Sequence, residues 1–157
     1  MTPTATRWSR RQLLLSSLAG LALPAIAARP AGTLVQVWKS PTCGCCEDWM
    51  AHLKAHGFRT QVHDVGNTTM RARLGIAAEF GSCHTAIVDG YALEGHVPAS
   101  EVLRLLKERP QAIGLAVPGM PVGSPGMDGP VYNGRKDPYD VVLIGKNGRG
   151  SVYRSYR

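Results

Sequence analysis

With 157 residues, 44% of them hydrophobic, the chain is long enough for one domain with a proper core and too short for two. Its formal net charge of +7 falls to about +4 once residues 1–27, which carry Arg7, Arg10 and Arg11 and no acid, are set aside. The remaining Lys and Arg are scattered, without a basic run or interleaved aromatics, which excludes a nucleic-acid footprint.

Residues 1–27 read as an export signal. Arg7 to Arg11 form a basic start, Leu13 to Ala27 an apolar stretch too short to span a bilayer comfortably, and Ala25-Ile26-Ala27 a cleavage site. The run Ser9-Arg10-Arg11-Gln12-Leu13-Leu14 resembles the twin-arginine signal, an ordinary secretory signal with two arginines being the alternative. No cysteine follows the cleavage site, so no lipid anchor is expected. The destination is a bacterial periplasm. No later apolar segment is long enough for a membrane span.

After a linker over 28–32, Thr33 to Lys39 reads as a buried strand on the apolar and β-branched content of Leu34, Val35, Val37 and Trp38. Cys46 to His56 reads as a helix with Cys46, Trp49, Met50 and Leu53 on one stripe, stopped by Gly57. Arg59 to Val65 is a second strand, with Phe58 and Val62 facing inward. Asn67 is placed to cap a helix over Thr68 to Leu74, which Gly75 ends. Thr85 to Val88 is a strand, turned at Asp89-Gly90 into Tyr91 to Glu94. Pro98 opens a helix over Ala99 to Arg109 with Val102, Leu105 and Leu106 buried. Residues 111–157 form an extension. Its Pro/Gly-rich stretch, Pro118 to Met127, is expected to be ordered, with Ile113 to Val117 as an apolar lead-in. Tyr139 to Ile144 is a clean strand, Asn147-Gly148 a turn, and Ser151 to Tyr156 a returning partner. Residues 33–157 are read as one domain.

Three of the four cysteines stand at Cys43-Gly44-Cys45-Cys46, where a strand passes into a helix. The unpaired N–H groups and positive dipole end there favour a thiolate. Adjacent Cys45 and Cys46 diverge on the first helical turn. They suit thiolates that bridge several ions better than one small tetrahedral ion, and soft Cu(I) selects such ligands. Cys83 joins the group if the first and third strands are neighbours. Three other readings stay open: two structural disulfides, a structural zinc site, and a dithiol oxidoreductase using Cys43 and Cys46 at redox spacing.

Among the histidines, His84 is the best additional ligand because it adjoins Cys83. His52 and His56, four apart on one helix, have a spacing that can hold a metal but are read as an exposed pair. His96 is read as capping the last helix. Met120 and Met127 could offer thioethers, though packing is the commoner use of methionine in such a loop. Met50 belongs to the core, and Asp128, Asp137 and Asp140 are loop acids.

The order β-α-β-α-β-β-α with cysteines at the first helix resembles the thioredoxin/glutaredoxin fold, extended here by a C-terminal Pro/Gly loop and an extra strand or hairpin. Four blocks narrow this resemblance: Lys39-Ser40-Pro41-Thr42-Cys43-Gly44-Cys45-Cys46, Gly81-Ser82-Cys83-His84-Thr85-Ala86, Glu94-Gly95-His96-Val97-Pro98-Ala99 and Gly119 to Met127. Together they resemble the CopG-like copper-resistance proteins over about residues 33 to 145. The resemblance implies an α/β, thioredoxin-like fold, an exported location, and Cu(I) held by Cys43, Cys45, Cys46 and Cys83. It also implies copper handling, with copper redox chemistry as an extension and other periplasmic copper-handling proteins as partners. Two features depart from thioredoxins: Cys45 is an extra thiol inside the Cys43–Cys46 spacing, and Cys83-His84-Thr85 has no proline before its strand.

Overall fold

In a computed structural model, residues 32–157 are described; the expected export signal, and the linker up to residue 31, lie outside them. The described chain folds into a mixed α/β structure with one seven-stranded sheet and three α-helices. The elements are β1 (Leu34–Lys39), α1 (Gly44–Ala55), β2 (Arg59–His63), α2 (Thr68–Arg73), β3 (His84–Val88), β4 (Tyr91–Glu94), α3 (Ala99–Glu108), β5 (Ala112–Ala116), β6 (Tyr139–Gly145) and β7 (Gly150–Tyr156). Strand order is β2-β1-β3-β4-β5-β6-β7. β1 and β2 run parallel, as do β4 and β5, and the other neighbours are antiparallel.

The sheet has a core on each side. Val35, Val37, Trp49, Met50, Leu53, Phe58, Val102, Leu105 and Leu115 belong to the larger one. Ile76, Phe80, Ala92, Ala116 and Ile144 make the smaller. Alternate residues of a strand face opposite sides, so β1 sends Val35, Val37 and Lys39 inward while Leu34 is 38% exposed and Trp38 lies flat on His63. The buried strand expected here is therefore buried on one face and only partly covered on the other. β2 is an edge strand. Phe58 is buried as expected, but Val62 is exposed, because nothing among the described residues covers that side of the edge.

The turn at Asp89-Gly90 has φ of 46° and 85°, the left-handed pair that a two-residue hairpin requires. α1 starts two residues earlier than its apolar stripe suggested, so Cys45 and Cys46 lie fully inside its first turn. β5 was readable only as an apolar lead-in, since five residues ahead of a proline carry no period of their own. Its parallel pairing with β4 joins the extension to the rest of the sheet, and β6 and β7 follow as the expected hairpin.

The Pro/Gly stretch is ordered and packed. Gly123 N–H donates to Met127 O at 2.7 Å and Met127 N–H to Ser124 O at 2.8 Å, closing a tight loop. That loop lies on the start of α1. Gly126 has φ +84°, and a Cβ there would stand 2.5 Å from Cys45 O and 2.7 Å from Trp49 N.

Candidate metal centre

β1 delivers the chain to the site and a turn hands it to α1. Cys43 N–H donates to Ser40 O at 3.1 Å, and Cys43 then takes the N-cap position of α1 with an extended backbone. No side chain caps the first turn, so the free N–H groups and the positive end of the dipole face the sulfurs. Lys39, buried at the end of β1, pins this corner: its Nζ reaches Glu47 of α1 at 2.7 Å and Asp64 after β2 at 2.8 Å. Those contacts, Asp64 first, raise its pKa.

β3 lies beside β1, with His84 opposite Lys39, and this brings Cys83 to the same end of the sheet. Its sulfur stands 3.6 Å from Cys46 Sγ and 3.8 Å from Cys45 Sγ, while Cys45 Sγ is 3.6 Å from Cys43 Sγ. All four sulfurs lie within 4.8 Å of one another. Cys45 and Cys46 do diverge, one half-exposed and the other fully buried, yet both sulfurs reach Cys83. Cys43 and Cys46 are joined as a disulfide, and Cys45 and Cys83 are free thiols. Two structural disulfides are therefore not what the chain forms.

Two buried histidines flank Cys83. His96 Nδ1 donates to Pro125 O at 2.8 Å; a carbonyl can only accept, so Nε2 carries the lone pair of a neutral ring. That Nε2 faces Cys83 Sγ at 3.1 Å. His84 Nδ1 is 3.4 Å from the same sulfur, its ring rests on Trp49 at 4.2 Å, and its buried Nε2 has no partner. Cys83, His84 and His96 thus form a second, mixed sulfur–nitrogen donor group sharing Cys83 with the first. Burial, and next the proximity of Cys45, pushes the Cys83 thiol up to about 12. Without a cation it stays protonated, and a bound metal would have to displace that proton.

Several sequence expectations shift here. His96 does not cap α3; it is a neighbour of Cys83, and the cap falls to His52, whose Nε2 accepts the Ala99 N–H at 3.1 Å. His56 Nδ1 meets His52 O at 2.8 Å, so both histidines have local work and neither faces the thiols. Asn67 precedes α2 without capping it; its side chain turns instead to Ser82 O and Thr85 Oγ1. Met120 is half-exposed, and Met127 Sδ accepts the Tyr132 hydroxyl at 3.3 Å. Met50 is core, and Asp128 and Asp137 brace loop N–H groups of Gly126 and Val122.

The paired buried histidines imply an acid sensitivity. Burial lowers the pKa of both below 6.5, and repulsion from His96 lowers His84 further. The unfolded chain therefore binds these protons more readily than the native one. The stability they confer is present above about pH 6.5 and is lost as pH falls below it, at a slope approaching about 1.4 kcal/mol per pH unit for each ring. Glu94, raised by burial, opposes this only nearer the carboxylate range. The melting temperature of the metal-free protein should fall between about pH 7 and pH 5.5; a flat profile would contradict the assignment.

Fold and site together define a mixed α/β protein with a cluster of four cysteine sulfurs, which once the Cys43–Cys46 disulfide is reduced is a donor set suited to a soft metal. Comparison with solved structures finds two at high similarity, both named copper resistance protein CopG. One, called form 2, is 42% identical with a TM-score of 0.74, covering 80% of this chain and 99% of the other. The second, form 1, is 44% identical with a TM-score of 0.73 over 80% and 98% of the two chains. A family described as a protein of unknown function, DUF411, matches residues 80–127. No curated protein matches. The chain belongs to the CopG-like copper-resistance family. Among the described residues no helix is long and apolar enough to cross a membrane.

Proposed function

We propose that this is an exported, periplasmic protein of copper handling and resistance, which binds Cu(I) through Cys43, Cys45, Cys46 and Cys83. The observation that carries the proposal is the approach of four sulfurs, from segments 37 residues apart, to within 4.8 Å. Cu(I) accepts low coordination by soft sulfur, and once a thiol reductant has opened the Cys43–Cys46 disulfide, four thiolates so close together can bridge several ions. The donor set fits it. His96 and His84 add nitrogen donors at the rim of the same group. Redox interconversion of cuprous and cupric ions is part of the proposal, as is export by the twin-arginine route. So too is a single metal-binding domain over residues 33–157 on a thioredoxin-like core, which the β2-β1-β3-β4 order supports. Other periplasmic copper-handling proteins are the proposed partners.

The test is anaerobic Cu(I) titration of the reduced protein with X-ray absorption at the copper edge. Sulfur in the first shell, copper–copper scattering and more than one Cu(I) per chain are expected. One ion per chain without a copper–copper vector would overturn the multinuclear centre. A second reading, a periplasmic thiol-disulfide oxidoreductase, is favoured by the Cys43–Cys46 disulfide. Zinc is disfavoured because its structural sites use separated chelating pairs, and here Cys45 crowds the Cys43–Cys46 pair.

A further inference from the structure

Cys83 is the one thiol of the group outside the Cys43–Cys46 turn, and its backbone is gripped by side chains that have no part in holding a metal. Glu94, at the end of β4, is fully buried. Its Oε1 accepts the Ser82 N–H at 2.8 Å and its Oε2 accepts the Thr85 hydroxyl at 2.5 Å, so one carboxylate holds both residues that bracket Cys83-His84. Arg71 of α2 donates from Nη1 to Glu94 Oε1 at 3.2 Å and to Ser82 O at 3.3 Å. Asn67 donates from Nδ2 to Ser82 O at 3.1 Å and to Thr85 Oγ1 at 3.2 Å.

The surrounding backbone is cut to fit. A Cβ on Gly81 would stand 2.6 Å from Arg71 Nη1, and one on Gly95, at φ +70°, would stand 2.5 Å from Ser82 Cβ. Burying a carboxylate is costly unless it is paired and hydrogen-bonded, and apolar residues of similar volume often serve stability as well or better. Two of the three bonds of Glu94 go to Ser82 and Thr85, on either side of Cys83-His84, and its third partner, Arg71, itself bonds Ser82 O.

We infer that Glu94, backed by Arg71 and Asn67, is a positioning residue for copper: it sets where Cys83 Sγ stands relative to Cys45 and Cys46. The inference rests on Cys83 as a copper ligand, so its test has one arm that needs no copper. In Glu94→Gln the shape is kept but the ion pair with Arg71 is lost and an amide NH₂ enters the network. Iodoacetamide alkylation of Cys83 in the reduced, metal-free variant, read by peptide mass mapping, should accelerate about tenfold with Cys45 unchanged. Cu(I) affinity, by competition with a chromophoric Cu(I) chelator, should fall about 10- to 100-fold, the range for losing a group that orients a ligand. Glu101→Gln is the control: this acid is buried in α3, bonds Tyr156 at 3.0 Å, and removing its charge should lower stability while leaving both Cys83 readouts alone. Equal shifts in the two variants, or no shift in Glu94→Gln, would overturn the inference. If Glu94→Gln does not fold, Arg71→Met and Asn67→Ala are read by the same criteria. Should the unchanged protein bind no copper, the alkylation arm still decides the positioning role while the copper reading falls separately.

Discussion

Cys45→Ser is expected to lose most of the bound Cu(I) while keeping whatever disulfide-exchange activity the protein has. The disulfide joins Cys43 to Cys46 and leaves Cys45 out, so exchange chemistry at that pair has no use for it. A thiolate cluster depends on it. Cys45 Sγ stands between Cys43 Sγ at 3.6 Å and Cys83 Sγ at 3.8 Å, so with Cys46, whose sulfur is 3.6 Å from Cys83 Sγ, it links the helix turn to the loop before β3. A serine hydroxyl is hard and stays protonated where a thiolate is required. Copper per chain after anaerobic loading should drop about as severely as in Cys43→Ser, and copper tolerance of cells relying on the variant should be lost. Insulin reduction by Cys45→Ser should match that of the unchanged protein. Full copper loading together with full tolerance would hand the site to the oxidoreductase reading.

The thiol group was legible because its signal is chemical and local. Three cysteines in four positions at a strand-to-helix junction need no tertiary information, and the strand order then places Cys83 beside them. His96 was missed for the opposite reason. One residue before Val97-Pro98 it has the address of a helix cap, and only the returning Pro/Gly loop, through Pro125 O, turns its Nε2 onto Cys83. Glu94 read as the polar end of a hairpin strand; its burial comes from α2 and the Ser82 turn folding over it. β5 was half-read, as apolar sequence without a partner, because a parallel strand's partner is remote in the chain. In each case the missing term was a contact made by a segment distant in sequence.

The two acidic networks at the site have different tasks. Lys39 with Glu47 and Asp64 ties the start of α1 to the ends of β1 and β2, which fixes the corner carrying Cys43, Cys45 and Cys46. Glu94 with Arg71 fixes the loop carrying Cys83. The two sets of cysteines are thus held by separate ion pairs, one at the end of β1 and one at the end of β4, on either side of β3, and the sulfur group forms between them. The Pro121–Asp128 loop closes over that meeting point.

Gly126→Ala should unseat that loop and, with it, the histidine at the site. The residue has φ +84°, where a side chain costs about 1–2 kcal/mol. The new methyl would also press on backbone rather than on a movable side chain, at 2.5 Å from Cys45 O and 2.7 Å from Trp49 N. Overpacking against fixed atoms adds about 1–3 kcal/mol. At roughly 3–4 °C per kcal/mol for a protein of this size, the melting temperature should fall by about 10 °C. The loop can relieve the clash by lifting off α1, which withdraws Pro125 O from His96 Nδ1. His96 then loses the bond that keeps its Nε2 lone pair on Cys83, so the ring can take the other tautomer. Losing that carbonyl by itself disfavours the charged ring, but water admitted by the lifted loop relieves the larger effect of burial and lets the ring gain a proton. The functional sign is therefore distinct from simple destabilisation. At a temperature where the variant is still folded, its Cu(I) affinity should drop and depend more steeply on pH between about 5.5 and 7.5 than that of the unchanged protein. Gly129→Ala is the comparison, since a Cβ there meets nothing within 4 Å. A Gly126→Ala protein with normal melting and unaltered copper affinity would show that the loop is a bystander to the thiol centre.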